Sequence, residues 1–202
     1  MKIFLPLILL ILLHTTLAQA EFTMQVQPRV SGFGSYRWSK FSLAQNKEAF
    51  YSGVGYGASL ELKIALSREM LLAFSEKNAF GLLFSWETGK LNNSINSHLG
   101  SEYWKFQQYM LSPRLYMSSF FIGAGIGVHR ATIEYQSKDL NTSSLFNGFT
   151  TRIESGVELP FLGFINLIPL IHTEWIKVKN TSNGEARDGQ SIGVSTRLVI
   201  SF

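Results

Sequence analysis

Hydrophobic and polar positions alternate with a period of two over long stretches of this chain. From Val54 to Leu66, the residues Val54, Tyr56, Ala58, Leu60, Leu62, Ile64 and Leu66 alternate with Gly55, Gly57, Ser59, Glu61, Lys63 and Ala65. Glu61 and Lys63 would interrupt any apolar stripe at 3.6-residue spacing, so a helix is excluded. The segment reads as a strand with one greasy and one polar face. Residues 190–202 repeat the design. Ile192, Val194, Leu198, Ile200 and Phe202 fall on one parity, interrupted by Thr196, while Ser191, Gly193, Ser195, Arg197 and Ser201 fall on the other.

The same reading predicts eight strands, over 30–43, 54–66, 80–88, 103–116, 120–134, 149–159, 164–178 and 190–202. In the first, Tyr36 and Trp38 face one way and Arg37 and Ser39 the other; in the third, Phe80, Leu82, Phe84 and Trp86 oppose Gly81, Ser85 and Glu87. The fourth has mixed parity, because Trp104, Phe106 and Met110 share a face with Gln108. That predicts a bulge near Gln107–Gln108. Pro169 removes a ladder hydrogen bond from the seventh and predicts a second bulge. Within 67–78, Met70 to Phe74 predicts a short rim helix or an extension of the neighbouring strands. Polar connections at 44–50, 90–102, 136–148 and 179–189 follow the odd-numbered strands, and those after the fourth and sixth are short.

The amino terminus changes where such strands can live. Met1-Lys2 is a basic start, Ile3 to Leu13 is an apolar run, and Ala18-Gln19-Ala20 is a small-residue cleavage site. This predicts a secretory signal peptide over 1–20 and a mature domain over 21–202. The run is too short for a spanning helix, which needs about 20 apolar residues. No later segment approaches that length: 161–171, the longest, is broken by Gly163, Asn166 and Pro169. Hydrophobic residues make up 46% of the chain and mean hydropathy is +0.10. An exported chain with greasy strand faces and no spanning helix can enter lipid as a closed barrel. An even strand count puts both chain ends on one side and the polar loops on the other. A soluble barrel with its greasy face turned inward is the rival.

The two faces then acquire roles. Trp38, Trp86, Trp104 and Trp175 are read as lipid-facing and near the loop ends of their strands, which predicts an aromatic girdle. The inward parity collects Arg37, Glu61, Lys63, Glu87, Arg152, Glu154, Glu158, Glu174 and Arg197, with His129 and His172. Side chains just about fill an eight-stranded barrel, and isolated buried charge is prohibitively costly. The expectation is an ion-pair network that plugs the lumen.

The segments Phe121-Ile-Gly-Ala-Gly-Ile-Gly127, Gly53-Val-Gly-Tyr-Gly-Ala-Ser-Leu-Glu-Leu62 and Arg197-Leu-Val-Ile-Ser-Phe202 resemble those of small outer-membrane β-barrels, of the type formed by the OmpA membrane domain and OmpX. The resemblance covers nearly all of 21–202. It implies an all-β, up-and-down antiparallel barrel in a bacterial outer membrane, with membrane lipid around it. It also implies recognition by the barrel assembly machinery through Leu198, Ile200 and Phe202. No peptidoglycan-binding domain is expected after the barrel.

Composition removes other functions. There is no cysteine, hence no thiol nucleophile or thiolate metal site, and the net charge of +4 is dispersed, which argues against nucleic-acid binding. No metal or cofactor motif is present. The alternating glycines precede no helix, so phosphate-loop logic does not apply. Some eight-stranded barrels modify lipid A at the outer rim, and His172-Thr173-Glu174 is the nearest candidate here. Strand alternation puts Thr173 and His172 on opposite faces, so they cannot pair as nucleophile and base. The expected role is structural or interactive, in adhesion or envelope integrity, with an unidentified ligand for the outer loops. A lipid-modifying enzyme and a small-solute channel are the alternatives.

Overall fold

The structure, a computed structural model, describes residues 25–42, 48–65, 78–93, 101–136 and 141–202. The expected signal peptide and the Met70–Phe74 segment lie outside the described residues.

The strands are β1 (Gln25–Ser42), β2 (Glu48–Ala65), β3 (Asn78–Asn93), β4 (Ser101–Met117), β5 (Phe120–Gln136), β6 (Asn141–Val157), β7 (Leu159–Leu162), β8 (Ile165–Asn180) and β9 (Ala186–Ser201). All neighbours pair antiparallel, and β1 pairs β9 while β6 pairs β8, which closes an eight-stranded barrel. The short β7 continues β6. The β6–β8 ladder ends at Gly156↔Leu170, and Leu159↔Leu167 resumes it in the same register.

Partners followed round the barrel from Val30 pass Leu60, Phe84, Leu111, Ile126, Thr151, Trp175 and Gln190, and return to β1 at Lys40, ten residues further on. Each strand is therefore staggered by just over one residue against the last, which is the shear that strand tilt requires. Allowing for that stagger, Trp38, Phe149 and Trp175 lie at one height.

Two expected irregularities are absent. The β3–β4 register runs unbroken from Asn78↔Met117 to Asn92↔Tyr103, so no bulge occurs at Gln107–Gln108. The mixed parity there has another cause: the interior itself is part polar and part apolar. Pro169 keeps a regular partner, Thr196. On its other side it falls just past the last β6 pair, where the ladder breaks and a missing N–H costs least. The register shift in that hairpin is between Pro160 and Leu162 instead. The tight turn between β4 and β5 places Ser118 at φ 61°, the left-handed conformation such hairpins demand.

The strands also run further than their greasy faces. Much of 90–102, 136–148 and 179–189, expected as loop, is ladder: Thr142–Gly148 pairs with β5, and 177–179 with 186–188. There the alternation reverses. Phe41, Leu91, Phe146 and Val178 point inward and are buried, while Lys40, Asn92, Asn147 and Lys179 point out. Below the reversal the barrel is apolar outside and polar inside, as lipid demands. Above it the barrel is apolar inside and polar outside, as water demands.

Candidate functional site

Three layers fill the lumen. The middle one lies just below the height of Trp38, where parity turns Arg37 of β1, Glu87 of β3, Gln108 of β4, Arg152 of β6 and Glu174 of β8 inward. Arg37 donates to Glu174 at 2.5 Å and also pairs with Glu87. Arg152 donates to Glu87 at 2.9 Å and also pairs with Glu174. The amide of Gln108 donates to Glu174 at 3.1 Å, and the hydroxyl of Ser35 donates to Glu87 at 2.7 Å. Two cations and two carboxylates thus alternate across the lumen. His129 meets Gln108 through Nδ1 at 3.2 Å.

A second cluster occupies the half nearer the chain ends. Glu154 binds Arg114 at 2.6 Å and Arg197 at 3.5 Å. Arg114 reaches Glu61 at 3.7 Å, and Glu61 accepts from Arg29 at 3.4 Å and from the Tyr116 hydroxyl at 2.5 Å. Glu158 pairs with Arg29 and with Lys63, the latter at 3.0 Å. All nine charged residues expected in the lumen fall in one of these two clusters. The sequence reading omitted Arg29, which lies before the assigned start of the first strand, and Arg114, which lies in the strand of mixed parity. Phe121, Ile168, Leu170 and Val199 are buried with Tyr116 in the same half, and the Arg114 guanidinium lies 4.5 Å over the Phe121 ring.

The outer layer is apolar. Trp104 stacks on Phe41 with ring centroids 4.0 Å apart, and Phe146 lies 5.9 Å from Trp104. Tyr51 donates to Glu102 at 2.7 Å at the mouth. Burial, and then that bond, raise its phenol above the ordinary range and keep it a neutral donor.

Trp104 is therefore a correction. It is 0% exposed and points into the barrel, sharing its face with Gln108 and Arg114. It lies above the level where the alternation reverses, so its greasy face belongs inside. The outward aromatics of β4 are Tyr109, below that level, and Tyr103, above it. Trp38 and Trp175, 50% and 40% exposed, do face outward, and Trp86 faces outward half-buried. Tyr56 and Phe149 join them on β2 and β6. Phe149–Val157, Ile165–Trp175 and Ile192–Phe202, from this belt to the far rim, are nine to eleven residues long. That matches the roughly 9–11 a spanning strand needs. Leu198 and Phe202 are exposed at that rim and Ile200 is partly covered. His172 and Glu174 lie inside the barrel below the belt and Thr173 is on the opposite parity, so the three do not meet at the outer rim.

A closed antiparallel barrel with an apolar outer band, an aromatic belt and an ion-paired interior has the architecture of the small outer-membrane β-barrels. Solved structures of that architecture are similar to the chain in fold. The attachment invasion locus protein Ail of Yersinia pestis is 13% identical with a TM-score of 0.50, over 84% of this chain and 97% of its own. Neisserial surface protein A is 11% identical, TM-score 0.48, over 86% and 97%. The outer membrane protease OmpT of Escherichia coli is 8% identical, TM-score 0.38, over 91% and 99%. At these identities the likeness is one of fold. No protein-family model matches the sequence, and no curated protein matches it.

Proposed function

We propose that this protein is a sealed, non-catalytic barrel of the outer membrane, whose role is structural or interactive: adhesion or envelope integrity, exercised by the part that stands above the lipid. Residues 1–20 serve as its export signal, and Leu198, Ile200 and Phe202 as the strand read by the assembly machinery. The observation that carries the reading is the filled lumen. Two ion-pair clusters span the membrane half, and the Trp104–Phe41 stack caps them. Each buried charge has a partner, and water admitted between them would have to break pairs whose removal leaves uncompensated charge.

Single-channel recording in planar bilayers tests this. The refolded barrel is expected to show no steady conductance above the bare bilayer. A large, persistent open level would overturn the sealed lumen and favour a solute channel.

A further inference from the structure

At the height of the aromatic belt the outer surface is uneven. On β1, β6 and β8 it presents Trp38, Phe149 and Trp175. On β3 and β5 it presents Lys90 and Arg130, with Lys105 of β4 one alternation step above. Lys90 and Lys105 are direct cross-strand partners and both point outward. Like charges placed opposite one another destabilise a sheet. Glu134 relieves one of them, accepting from Lys105 at 2.7 Å. The ammonium of Lys90 lies 3.5 Å from the ring centre of Tyr103, and Arg130 has no carboxylate partner among the described residues. Below the belt, among the described residues, the outward face carries no charged side chain at all.

The three cations line one groove of about 530 Å³ together with Gln107, and its lower wall is formed by the apolar Val54 and Tyr56. Frustrated charge of this kind marks a place where local stability has been given up for something else. We propose that this groove holds the phosphate of a lipid headgroup in the outer leaflet, with the first part of an acyl chain against Val54 and Tyr56. The depth fits, since an aromatic belt marks the headgroup layer. The charge fits, since three cations face one carboxylate among the described residues. The inference rests on the membrane orientation proposed above.

The test uses the barrel refolded in phosphatidylcholine vesicles, with heat-modifiable gel mobility as the check on folding. Bis-phosphorylated lipid A and its dephosphorylated form are the probes, read by lipid retained in native mass spectra and by the rise in unfolding temperature. The double variant Lys90→Gln/Arg130→Gln removes repulsion, so it folds in neutral lipid. It is expected to bind the phosphorylated lipid roughly thirtyfold more weakly, on the order of 1 kcal/mol per cation. The double variant Lys177→Gln/Lys179→Gln, an equal loss of charge elsewhere on the rim, is expected to bind like the parent. Equal losses in the two variants, or equal retention of dephosphorylated lipid, would overturn the proposal. So would displacement of the lipid by inorganic phosphate or a sulfated oligosaccharide at similar concentration, which would mark a site for soluble anions. A chain that fails to insert into neutral vesicles overturns the membrane reading and this one with it.

Discussion

Glu174 is fully buried and serves two arginines at once, Arg37 and Arg152. Glu174→Ala would leave both sharing Glu87 alone. Breaking a buried pair in this way costs about 3–5 kcal/mol, and urea unfolding in vesicles should show a loss of that size. Glu174→Gln keeps the volume and an acceptor for Gln108 and is expected to cost less. A Glu174→Ala midpoint unchanged within error would mean that the charged layer does not hold the barrel together. The parity rule found this residue and most of its partners in the sequence. It missed Arg29 because a strand's end carries no signal of its own in the alternation. It missed Arg114 because Trp104, Phe106 and Met110 on the same parity looked like a lipid face. One parity of β4 lines the lumen throughout, but the lumen is apolar at Trp104 and polar at Arg114.

That ambiguity extends to whole elements. β2 and β9 were legible because their described lengths lie largely below the belt, where greasy means outward. β6 was legible only from Phe149 on. Residues 142–148 looked like loop because polar Thr142, Ser143, Ser144 and Asn147 dominate, and the two apolar residues, Leu145 and Phe146, fall on opposite parities and mark no face. Pairing with β5 and β8 makes the segment a strand. Gly148 shows how close that pairing is: a Cβ there would stand 1.9 Å from the Lys177 carbonyl oxygen and 2.7 Å from the Val178 Cα. Both are backbone, so the ladder that closes the barrel would have to shift. Gly148→Ala is expected to destabilise by about 1–3 kcal/mol, the usual range for overpacking. Gly32→Ala, outward with nothing within 4 Å, should be near neutral by the same urea assay. Equal effects would show that strand propensity, and not the β6–β8 approach, sets the cost.

For the molecule as a whole, strand length and membrane thickness do not match, and the excess is on one side. β5 has 17 residues. At about 3.3 Å per residue and about 40° of tilt it rises about 40 Å, against an apolar band of about 25 Å. The difference stands above the belt, where the faces have exchanged character and the barrel is built like a soluble one. This places any contact with the surroundings on an outer wall of strands as much as on loops. The chain contains no cysteine, so single-cysteine spin labels along β6 can map the boundary. Labels at the outward positions Thr151, Ile153 and Val157 should collide mainly with oxygen dissolved in lipid. Labels at Ser143, Leu145 and Asn147 should collide mainly with a water-soluble nickel chelate, with the crossover near Phe149, which is 72% exposed. Dominant oxygen accessibility as far as Ser143 would put the whole strand in lipid. The polar outward residues above the belt, the basic groove among them, would then lie at the wrong depth for a headgroup, and the reversal of faces would need another cause.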